Sequence, residues 1–164
     1  MSLTESMINE LLSETKLLPL DYVEKLRLKE RKDSAHSEAS CYIDGVKGHH
    51  YRINIRKSNI NPLDFSIILV YEDRRSHTDY ILTRYNGDHG SHKNVIEKDL
   101  IEGCHIHTAT ERYQSAGLRI DSYAVKTKDY SSYNTALDSF IKDLNFRMSG
   151  QGRVDDDYGG VVNE

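Results

Sequence analysis

Histidines are concentrated in one part of the chain. Four of the eight lie between positions 89 and 107: His89 and His92 in a glycine-containing stretch, and His105 and His107 in the triplet His-Ile-His. The unperturbed pKa of imidazole is about 6.5, so clustered histidines can transfer protons, bind a metal ion or contact phosphate. We therefore expect the chemistry of this protein to lie in this region.

His105 and His107 are separated by one residue in a strand-like segment. Alternate side chains of a strand share a face and lie roughly 6.6 to 6.8 Å apart along it, so the two rings form a pair. Cys104, Ile106 and Thr108 then take the opposite face, where Ile106 supplies a core contact. The alternative is that both rings are ordinary polar positions of a half-solvated sheet.

Arg84 ends a predicted strand just before the first two of these histidines. Its guanidinium is a planar fork of donors that suits phosphate oxygens. A turn through Asn86 and Gly87 would carry His89 and His92 towards a neighbouring strand. Alternatively, these two histidines are solvated loop residues, and Arg84 forms an ion pair with one of three carboxylates: Asp79, Asp88 or Glu111. The remaining histidines are assigned to a linker, a hairpin loop and a turn: His36, His49, His50 and His77.

Composition indicates one folded unit. The chain has 164 residues and is 37% hydrophobic, which suits a single domain with one core. Eleven tyrosines supply apolar bodies with a polar tip, well suited to half-buried sheet faces. The net charge of -4 comes mainly from the ends of the chain, including residues 155–157, so it neither excludes nor supports a phosphate-bearing substrate.

The sequence has neither a membrane-length apolar run nor a recognisable cysteine motif, and this bears on the expected compartment and on the state of the cysteines. No apolar run approaches the roughly 18 residues of a membrane helix, and the start has no export signal, so we expect a cytoplasmic protein with no membrane partner. Cys41 and Cys104 do not have the spacing of a disulfide framework or a zinc site. They are predicted to be reduced core thiols.

Apolar periodicity predicts the elements that must position the histidines. The predicted helices cover 2–14, 20–31 and 133–144. The predicted strands cover 41–43, 51–55, 65–71, 79–85, 104–109 and 122–126, the first two forming a hairpin, the third buried on both faces and the last a short edge strand. Together they predict an α+β fold: a single domain with an antiparallel four- to five-stranded sheet, N-terminal helices and a C-terminal helix packed on it.

Three regions are expected along the chain. Residues 1–33 form an N-terminal helical region, and residues 38–146 form the α+β domain with the histidine site. Residues 32–38 are a polar linker between the two. Residues 147–164 have no apolar period and are predicted to be a disordered acidic tail.

Part of this pattern resembles a loose group of small bacterial and phage proteins. The group includes the TumE-like toxins of toxin–antitoxin systems and related uncharacterised domains, and the similarity covers about residues 50–146. The residues that carry it are the stretch 84–89, the triplet 105–107, Glu111-Arg112-Tyr113, Ala124 and the closing helix. The resemblance implies a toxin-like or mobile-element protein acting on RNA, with Arg84, His89, His105 and His107 in the matching positions. His92 follows His89 by three residues instead of one, so the resemblance does not define its role.

The first functional hypothesis is a metal-independent endoribonuclease. One histidine removes the 2'-hydroxyl proton, another protonates the leaving 5'-oxygen, and Arg84 stabilises the phosphorane charge. The predicted catalytic residues are Arg84, His89, His105 and His107. The predicted substrate-binding residues are Tyr85, Asn86, His92 and Tyr113, of which Tyr85 or Tyr113 would stack a base. This hypothesis requires RNA as partner, because the nucleophile is its own 2'-hydroxyl, and it requires no cofactor.

Two alternatives remain open. Imidazoles from the pair and the loop would give zinc three ligands and one open position, although the chain lacks HExxH or paired CxxC spacing. The other alternative is a non-catalytic mobile-element or phage protein that binds a protein or nucleic acid, such as an inhibitor or a toxin–antitoxin component, with ordinary surface histidines. A cognate antitoxin or a target protein would then be the partner.

Overall fold

The computed structural model describes residues 2–149, in which there are four helices and eleven strands. The helices are α1 (Glu5–Ser13), α2 (Tyr22–Lys25), α3 (Glu111–Ser115) and α4 (Tyr133–Asp143). The strands are β1 (Lys16–Leu18), β2 (Lys29–Glu30), β3 (His36–Gly45), β4 (His50–Ser58), β5 (Phe65–Asp73), β6 (Thr78–Asn86), β7 (His92–Asn94), β8 (Asp99–Ile101), β9 (His105–Thr108), β10 (Ala124–Lys126) and β11 (Phe146–Met148).

Nine of these strands form one large sheet. Its order is β10-β9-β6-β5-β4-β3-β1-β11, with β2 paired to β3 outside this path, and β7 and β8 form a separate two-stranded ribbon. Neighbouring strands of the sheet are antiparallel except β1 and β11, which are parallel. The α+β class is thus confirmed, but the sheet is larger than predicted. Strands β1, β2 and β11 are only two or three residues long, too short to show an alternation in the sequence.

One face of the sheet carries the core. In β4, Tyr51, Ile53 and Ile55 are buried, while Arg52 and Asn54 between them point to the other side. This is the two-residue period of a strand with one apolar face. The predicted hairpin is confirmed as β3 paired with β4, and the predicted apolar run is confirmed as strand β5. However, the other face of β5 is buried only at Val70, which is 3% exposed, whereas Ser66, Ile68 and Glu72 on that face are half-buried.

Helices α1 and α4 cover the core face. Ile8 and Leu11 of α1 and Ala136 and Phe140 of α4 are buried against the strands. The ring of Phe140 meets the ring of Tyr85 edge to face, with centroids 5.3 Å apart. The predicted C-terminal helix, packed on the sheet, is therefore confirmed. The face opposite these helices is left free for a site.

The N-terminal segment is integrated into the sheet and is not simply helical. The helix predicted over 20–31 is wrong, because only Tyr22–Lys25 is helical and β2 follows it. Leu20 and Val23 are exposed, and only Leu26 of the predicted apolar stripe is buried. With Leu20 and Val23 in solvent, the predicted stripe buries too little apolar surface to stabilise a longer helix, and only one turn forms.

Two predicted boundaries also shift. Strand β3 begins at His36, inside the predicted linker, and β11 ends at Met148, inside the predicted tail. Pairing decides both ends: His36 lies opposite Ser58 of β4, and Met148 lies opposite Leu18 of β1. Residues 150–164, with most of the predicted tail, lie outside the described residues.

Both cysteines are free thiols, as predicted. Cys41 is buried in the core, and Cys104 is half-buried and packs against it. Burial raises the pKa of both thiols, so they stay protonated and behave as small apolar groups. In the part of the chain that the structure describes, no helix has both the length and the apolar character needed to cross a bilayer.

Candidate active site

The predicted histidine pair lies on the polar face of the sheet. Antiparallel register sets Arg84 of β6 beside His107 of β9, and Asn86 beside His105. Directly opposed residues of an antiparallel pair project to the same face, so these four side chains are neighbours. Ile106 between the histidines packs against the core from the other side, as predicted. The pair is thus held in place by a half-buried residue beneath it that contacts the core.

A cavity of about 210 Å³ lies over these four side chains. The predicted catalytic residues all line it, and so do Asn86 and His92 of the predicted substrate-binding set. Its walls are Arg84, Asn86, His89, Gly90, Ser91, His92, His105 and His107. The fold therefore brings together residues that the sequence separates by more than twenty positions.

Three of the imidazole rings are in mutual contact. The ring centroid of His107 lies 4.6 Å from that of His92 and 5.0 Å from that of His105. The rings of His92 and His105 are nearly parallel, with centroids 6.1 Å apart. His92 comes from β7 of the small ribbon, whereas the other two come from β9 of the large sheet. The cluster therefore depends on how the ribbon docks.

Asn94 docks the ribbon. Its buried side-chain amide donates to the carbonyl oxygen of Ala124 (2.8 Å) and accepts from the backbone N–H of Ala124 (2.9 Å). The side chain thereby satisfies the backbone of the edge strand β10 much as another strand would. His92 precedes Asn94 by two residues and is carried to the same edge. Its ring thereby lies against those of His105 and His107.

Gly87 allows the loop after β6 to turn close to the sheet. Its N–H donates to the carbonyl oxygen of Phe65 at 3.0 Å. A Cβ at this position would lie 2.1 Å from the carbonyl oxygen of Leu63 and 2.5 Å from the ring of Phe65. A larger residue would therefore displace the loop that carries His89 to the cavity.

Each ring of the cluster uses one nitrogen to donate to a backbone carbonyl. The three hydrogen bonds run from Nε2 of His92 to Ser122 (2.7 Å), from Nδ1 of His105 to Gly103 (2.8 Å) and from Nδ1 of His107 to Asp121 (3.0 Å). Because a carbonyl oxygen only accepts, the bonded nitrogen carries the proton, and the other nitrogen of the neutral ring keeps its lone pair. Within residues 2–149 no protein group bonds to that second nitrogen.

Burial favours the neutral form of the β9 pair. His105 and His107 are only 4% and 2% exposed. Loss of solvation lowers the pKa of His107 to about 3, and the nearby Arg84 charge acts in the same direction. Burial also lowers the pKa of His105, against the hydrogen bond to Gly103. At neutral pH both rings are therefore unprotonated, and neither carries a second proton to donate.

Arg84 is anchored by Asp121. Its Nε lies 2.7 Å from Oδ2 of Asp121, which forms an ion pair although the N–H does not point along the contact as in a hydrogen bond. The carboxylate is 3% exposed and lies 3.3 Å from Nη2 of Arg119 as well. The ion-pair partner of Arg84 is thus Asp121 and none of the three carboxylates expected from the sequence: Asp79, Asp88 and Glu111. Within residues 2–149 the Nη atoms of Arg84 have no protein partner, which leaves them available to an anion.

Sequence reasoning missed Asp121, which positions two site residues at once. Its carboxylate holds Arg84, and its carbonyl oxygen sets the tautomer of His107. A signal was present, because the predicted edge strand begins at the next residue and that strand pairs with the one carrying the histidines. The register of that pairing depends on tertiary structure, so the sequence did not identify the contact.

A second group of charged side chains borders the cavity. Nδ1 of His89 lies 3.4 Å from Oδ1 of Asp64, and Nε2 of His36 lies 3.5 Å from Oδ2 of the same carboxylate. Nη2 of Arg56 contacts Nδ1 of His36 at 3.3 Å. The sequence placed His36 in a linker and did not single out Asp64. Asp64 immediately precedes β5, and in an antiparallel pair the start of β5 meets the end of β6, where the His89 loop begins.

Two predicted substrate-binding residues lie away from the cavity. Tyr85 follows Arg84 in β6 and therefore points to the core face, where its hydroxyl donates to Oδ2 of Asp143 at 2.8 Å. Tyr113 is fully buried, and its hydroxyl donates to Glu97. The prediction that one of these rings stacks a base is therefore corrected, because both rings are used in internal packing.

The family comparison covers nearly all of the described chain. The family model that matches spans residues 3–146, from the start of α1 to the beginning of β11. The chain belongs to DUF6978, a family of unknown function. Nothing matches it among curated proteins or among solved structures. The DUF6978 match includes every side chain that lines the cavity.

The bonding pattern of this DUF6978 cluster bears on metal binding. Histidines that ligate metals usually donate their other N–H to a carbonyl or carboxylate, as these three rings do. However, within residues 2–149 no set of three or more His, Cys, Asp and Glu side chains is arranged to hold a metal ion. Arg84 also lines the same cavity, and its charge disfavours a bound cation. A ligand with an anion for Arg84 and hydroxyl donors for the ring nitrogens fits better.

The buried rings predict that the fold loses stability in acid. The unfolded chain protonates His107 below pH about 6.5, whereas the folded chain resists protonation until about pH 3. Between these values the unfolded state binds more protons than the folded state. The free energy of unfolding therefore falls by about 1.4 kcal/mol for each unit by which the pH is lowered, as a result of His107 alone. His105 adds to this loss, because burial lowers its pKa as well. Urea unfolding at several pH values between 7.5 and 4.5 measures this slope.

A matched pair of variants isolates the contribution of the buried ring. His107→Gln should flatten the slope by about 1.4 kcal/mol per pH unit over this window. His50→Gln, at the more exposed start of β4, should leave it close to that of the wild type. If His107→Gln keeps the wild-type slope, the ring is not held neutral by burial.

Proposed function

We propose that this DUF6978 protein is a metal-independent, toxin-like endoribonuclease that acts on cytoplasmic RNA. The observation that carries the proposal is the placement of unprotonated ring nitrogens and the Arg84 guanidinium around one small cavity. The nitrogens accept a proton from a hydroxyl, and the guanidinium binds a phosphate. RNA presents these two groups side by side at every linkage, whereas DNA lacks the hydroxyl.

The proposed reaction is a transesterification within the RNA strand. Nε2 of His107 takes the proton of the 2'-hydroxyl, and the 2'-oxygen forms a bond to phosphorus while the bond to the 5'-oxygen breaks. His89 gives a proton to that leaving oxygen. The products are a 2',3'-cyclic phosphate and a 5'-hydroxyl, so no water or cofactor is consumed. Arg84 stabilises the additional charge on the phosphorane, and such a donor is typically worth about 10² to 10³ in rate.

The environment of each ring supports these roles. His107 is buried beside Arg84 and is unprotonated at neutral pH, as a base must be. A bound phosphate anion raises the pKa of this ring by offsetting the Arg84 charge, which makes the ring a stronger base in the complex. His89 is exposed and contacts the Asp64 carboxylate, so its proton can be replaced from solvent after each turnover. His105, predicted to be catalytic, and His92, predicted to bind substrate, are assigned here to orienting His107, because both rings contact it.

Cleavage of a defined oligoribonucleotide tests the proposal. Purified protein is expected to cut single-stranded RNA equally well with and without EDTA, leaving the two termini named above, which mass spectrometry identifies. A single 2'-deoxy substitution at the cleaved nucleotide should reduce cutting there by at least about 10⁴-fold, because it removes the nucleophile. Activity that is lost in EDTA and restored by zinc would instead support the three-histidine metal alternative.

A non-catalytic binding module is the second candidate. Its support is the burial of the β9 pair, since rings that are 4% and 2% exposed are also compatible with a purely structural role. In that case the chain would be a phage or mobile-element protein, such as an inhibitor or a toxin–antitoxin component, acting through its surface on a protein or nucleic acid. Folded Arg84→Ala and His107→Ala variants that keep the full cellular effect of the wild type would favour it.

A further inference from the structure

We infer that the polar sheet face next to the histidine cavity is a groove that binds single-stranded RNA and leads it across β3, β4 and β5 to the cavity. The inference rests on the proposed function for the identity of its ligand. It goes beyond that function by assigning a binding surface to residues outside the cavity. These residues come largely from the N-terminal segment and from β3 and β4.

Strand register makes this face continuous with the cavity. Starting at His107, the directly opposed residues across the sheet are Arg84 in β6, Ile68 in β5, Asn54 in β4 and Ser40 in β3. Neighbouring strands are about 4.8 Å apart, so this row extends roughly 19 Å from the cavity. An RNA strand bound along this row would pass from Ser40 to the Arg84 guanidinium without crossing an edge of the sheet.

A depression of about 570 Å³ lies along the far part of this row. Ser40, Asn54 and Ile68 form its floor, and Ile68 is also the direct neighbour of Arg84. The segment from α2 to β2 forms its wall. The depression and the histidine cavity are therefore adjacent parts of one surface, separated by the width of a single strand.

The charges around the depression favour a polyanion. Its lining contains four basic side chains and one acidic side chain: Lys25, Arg27, Lys29 and Arg56, with Glu38. Glu38 is already paired with Arg31, at 3.0 Å. Among the described residues, Lys25 and Lys29 have no ion-pair partner, and both are exposed. Arg27 shares its charge with Glu24 at 2.8 Å, so the two lysines supply most of the unpaired positive charge.

An exposed aromatic ring favours nucleic acid over an acidic peptide. Tyr42 follows Ser40 by two residues in β3 and so projects from the same face, where it is 68% exposed. An exposed tyrosine ring beside a basic groove is a stacking platform for a base, and such stacking is typically worth about 1 to 3 kcal/mol. The amide and hydroxyl groups of Asn54 and Ser40 can bond to base edges or sugar hydroxyls. Together these features match a single strand with unpaired bases.

Binding of an uncleavable oligonucleotide tests the groove. The probe is a fluorescent 2'-O-methyl oligouridylate of about 12 nucleotides, within the usual range of single-strand site sizes. By fluorescence anisotropy, Lys25→Glu with Lys29→Glu should weaken binding at least about tenfold, and should reduce the slope of log affinity against log salt by roughly 1.4. Tyr42→Ala should weaken binding at least about fivefold with no change of this slope.

A control pair carries the same change of charge elsewhere. Lys47→Glu with Lys142→Glu alters the β3–β4 turn and α4, which covers the other face of the sheet, and should change the affinity less than threefold. Equal weakening by both pairs would mean that only net charge matters, and it would overturn the groove. Binding of polyglutamate as tight as that of the oligonucleotide would overturn it as well.

The groove and the nuclease can fail separately. If the wild-type protein binds the probe as expected but cuts no RNA, the groove stands and the proposed function fails. If the wild-type protein cuts RNA but the Lys25/Lys29 variant binds the probe as tightly as the Lys47/Lys142 control variant, the proposed function stands and the groove fails.

Discussion

Replacing His107 with alanine is expected to lower the rate of RNA cleavage by about 10²- to 10⁴-fold, the usual contribution of a positioned base. His107 is the ring closest to both of its neighbours in the cluster, and it lies directly opposite Arg84. Its loss removes the acceptor for the 2'-hydroxyl proton. Because the base acts in the chemical step, the effect should appear in kcat under saturating RNA, with KM changed only slightly.

The variant must be shown to fold before its rate is interpreted. His107→Ala leaves the carbonyl oxygen of Asp121 without its donor and opens a void, which costs about 1 to 3 kcal/mol. His107→Gln fills more of that space and retains a side-chain donor, yet cannot act as a base, so it should be more stable than His107→Ala and equally inactive. His50→Ala is the matched control and should retain wild-type kcat. A folded His107→Gln protein with wild-type kcat would remove this residue from the mechanism.

The fork shape of the Arg84 side chain provides a companion test. Arg84→Lys keeps the charge but loses the planar donors, and we expect about 10²-fold lower kcat because only the guanidinium can reach Asp121 and a phosphate together. Arg75→Lys, in the exposed β5–β6 turn, is the matched control. If Arg84→Lys retains wild-type kcat, a positive charge alone is sufficient and bidentate contact is not part of the mechanism.

Lys16→Ala is expected to lower the free energy of unfolding by about 2 to 5 kcal/mol, the largest stability effect predicted for this chain, because it leaves a void and removes the donor of buried carbonyl oxygens. The side chain is fully buried, and its Nζ donates to three carbonyl oxygens: Leu12 (3.0 Å), Glu14 (2.9 Å) and Leu144 (3.0 Å). These carbonyls lie at the C-terminal ends of α1 and α4. One ammonium group therefore joins the N-terminal helix, β1 and the C-terminal helix.

The rings of Tyr51 and Phe146 add to this site, with centroids 5.1 Å and 5.8 Å from the ammonium nitrogen. Truncation to alanine removes the donors and leaves a void, whereas Lys16→Met fills the void and removes only the donors. Urea unfolding should therefore rank wild type above Lys16→Met and Lys16→Met above Lys16→Ala. Lys47→Ala, at an exposed turn, should change stability by less than about 0.5 kcal/mol.

The outcome bears on the organisation of the chain. A small effect of Lys16→Ala, below about 1 kcal/mol, would indicate that the N-terminal segment is attached loosely to the rest of the fold. A large effect would mean that this segment is part of the main cooperative unit. The pairing of β1 with both β3 and β11 in the structure favours the large effect.

The sequence predicted long periodic elements well and short ones poorly. Phe140 of α4 and Ile53 of β4 belong to segments with several turns or alternations, and such a pattern repeats often enough to be recognised. Lys16 and Phe146 belong to strands of three residues each. Three residues cannot display a period, so their state depends on the partner strand and not on their own sequence. The number of strands was underestimated for this reason.

The candidate site shows the same division. The sequence by itself determined that His105 and His107 share a face with Ile106 behind them, because the period of a strand is local. Only the tertiary structure decided that Arg84 lies opposite His107, that Asp121 anchors both, and that Tyr85 points away from the cavity. Those contacts depend on strand register and loop docking, where a shift of one residue moves every side chain to the other face, and no local pattern encodes that choice.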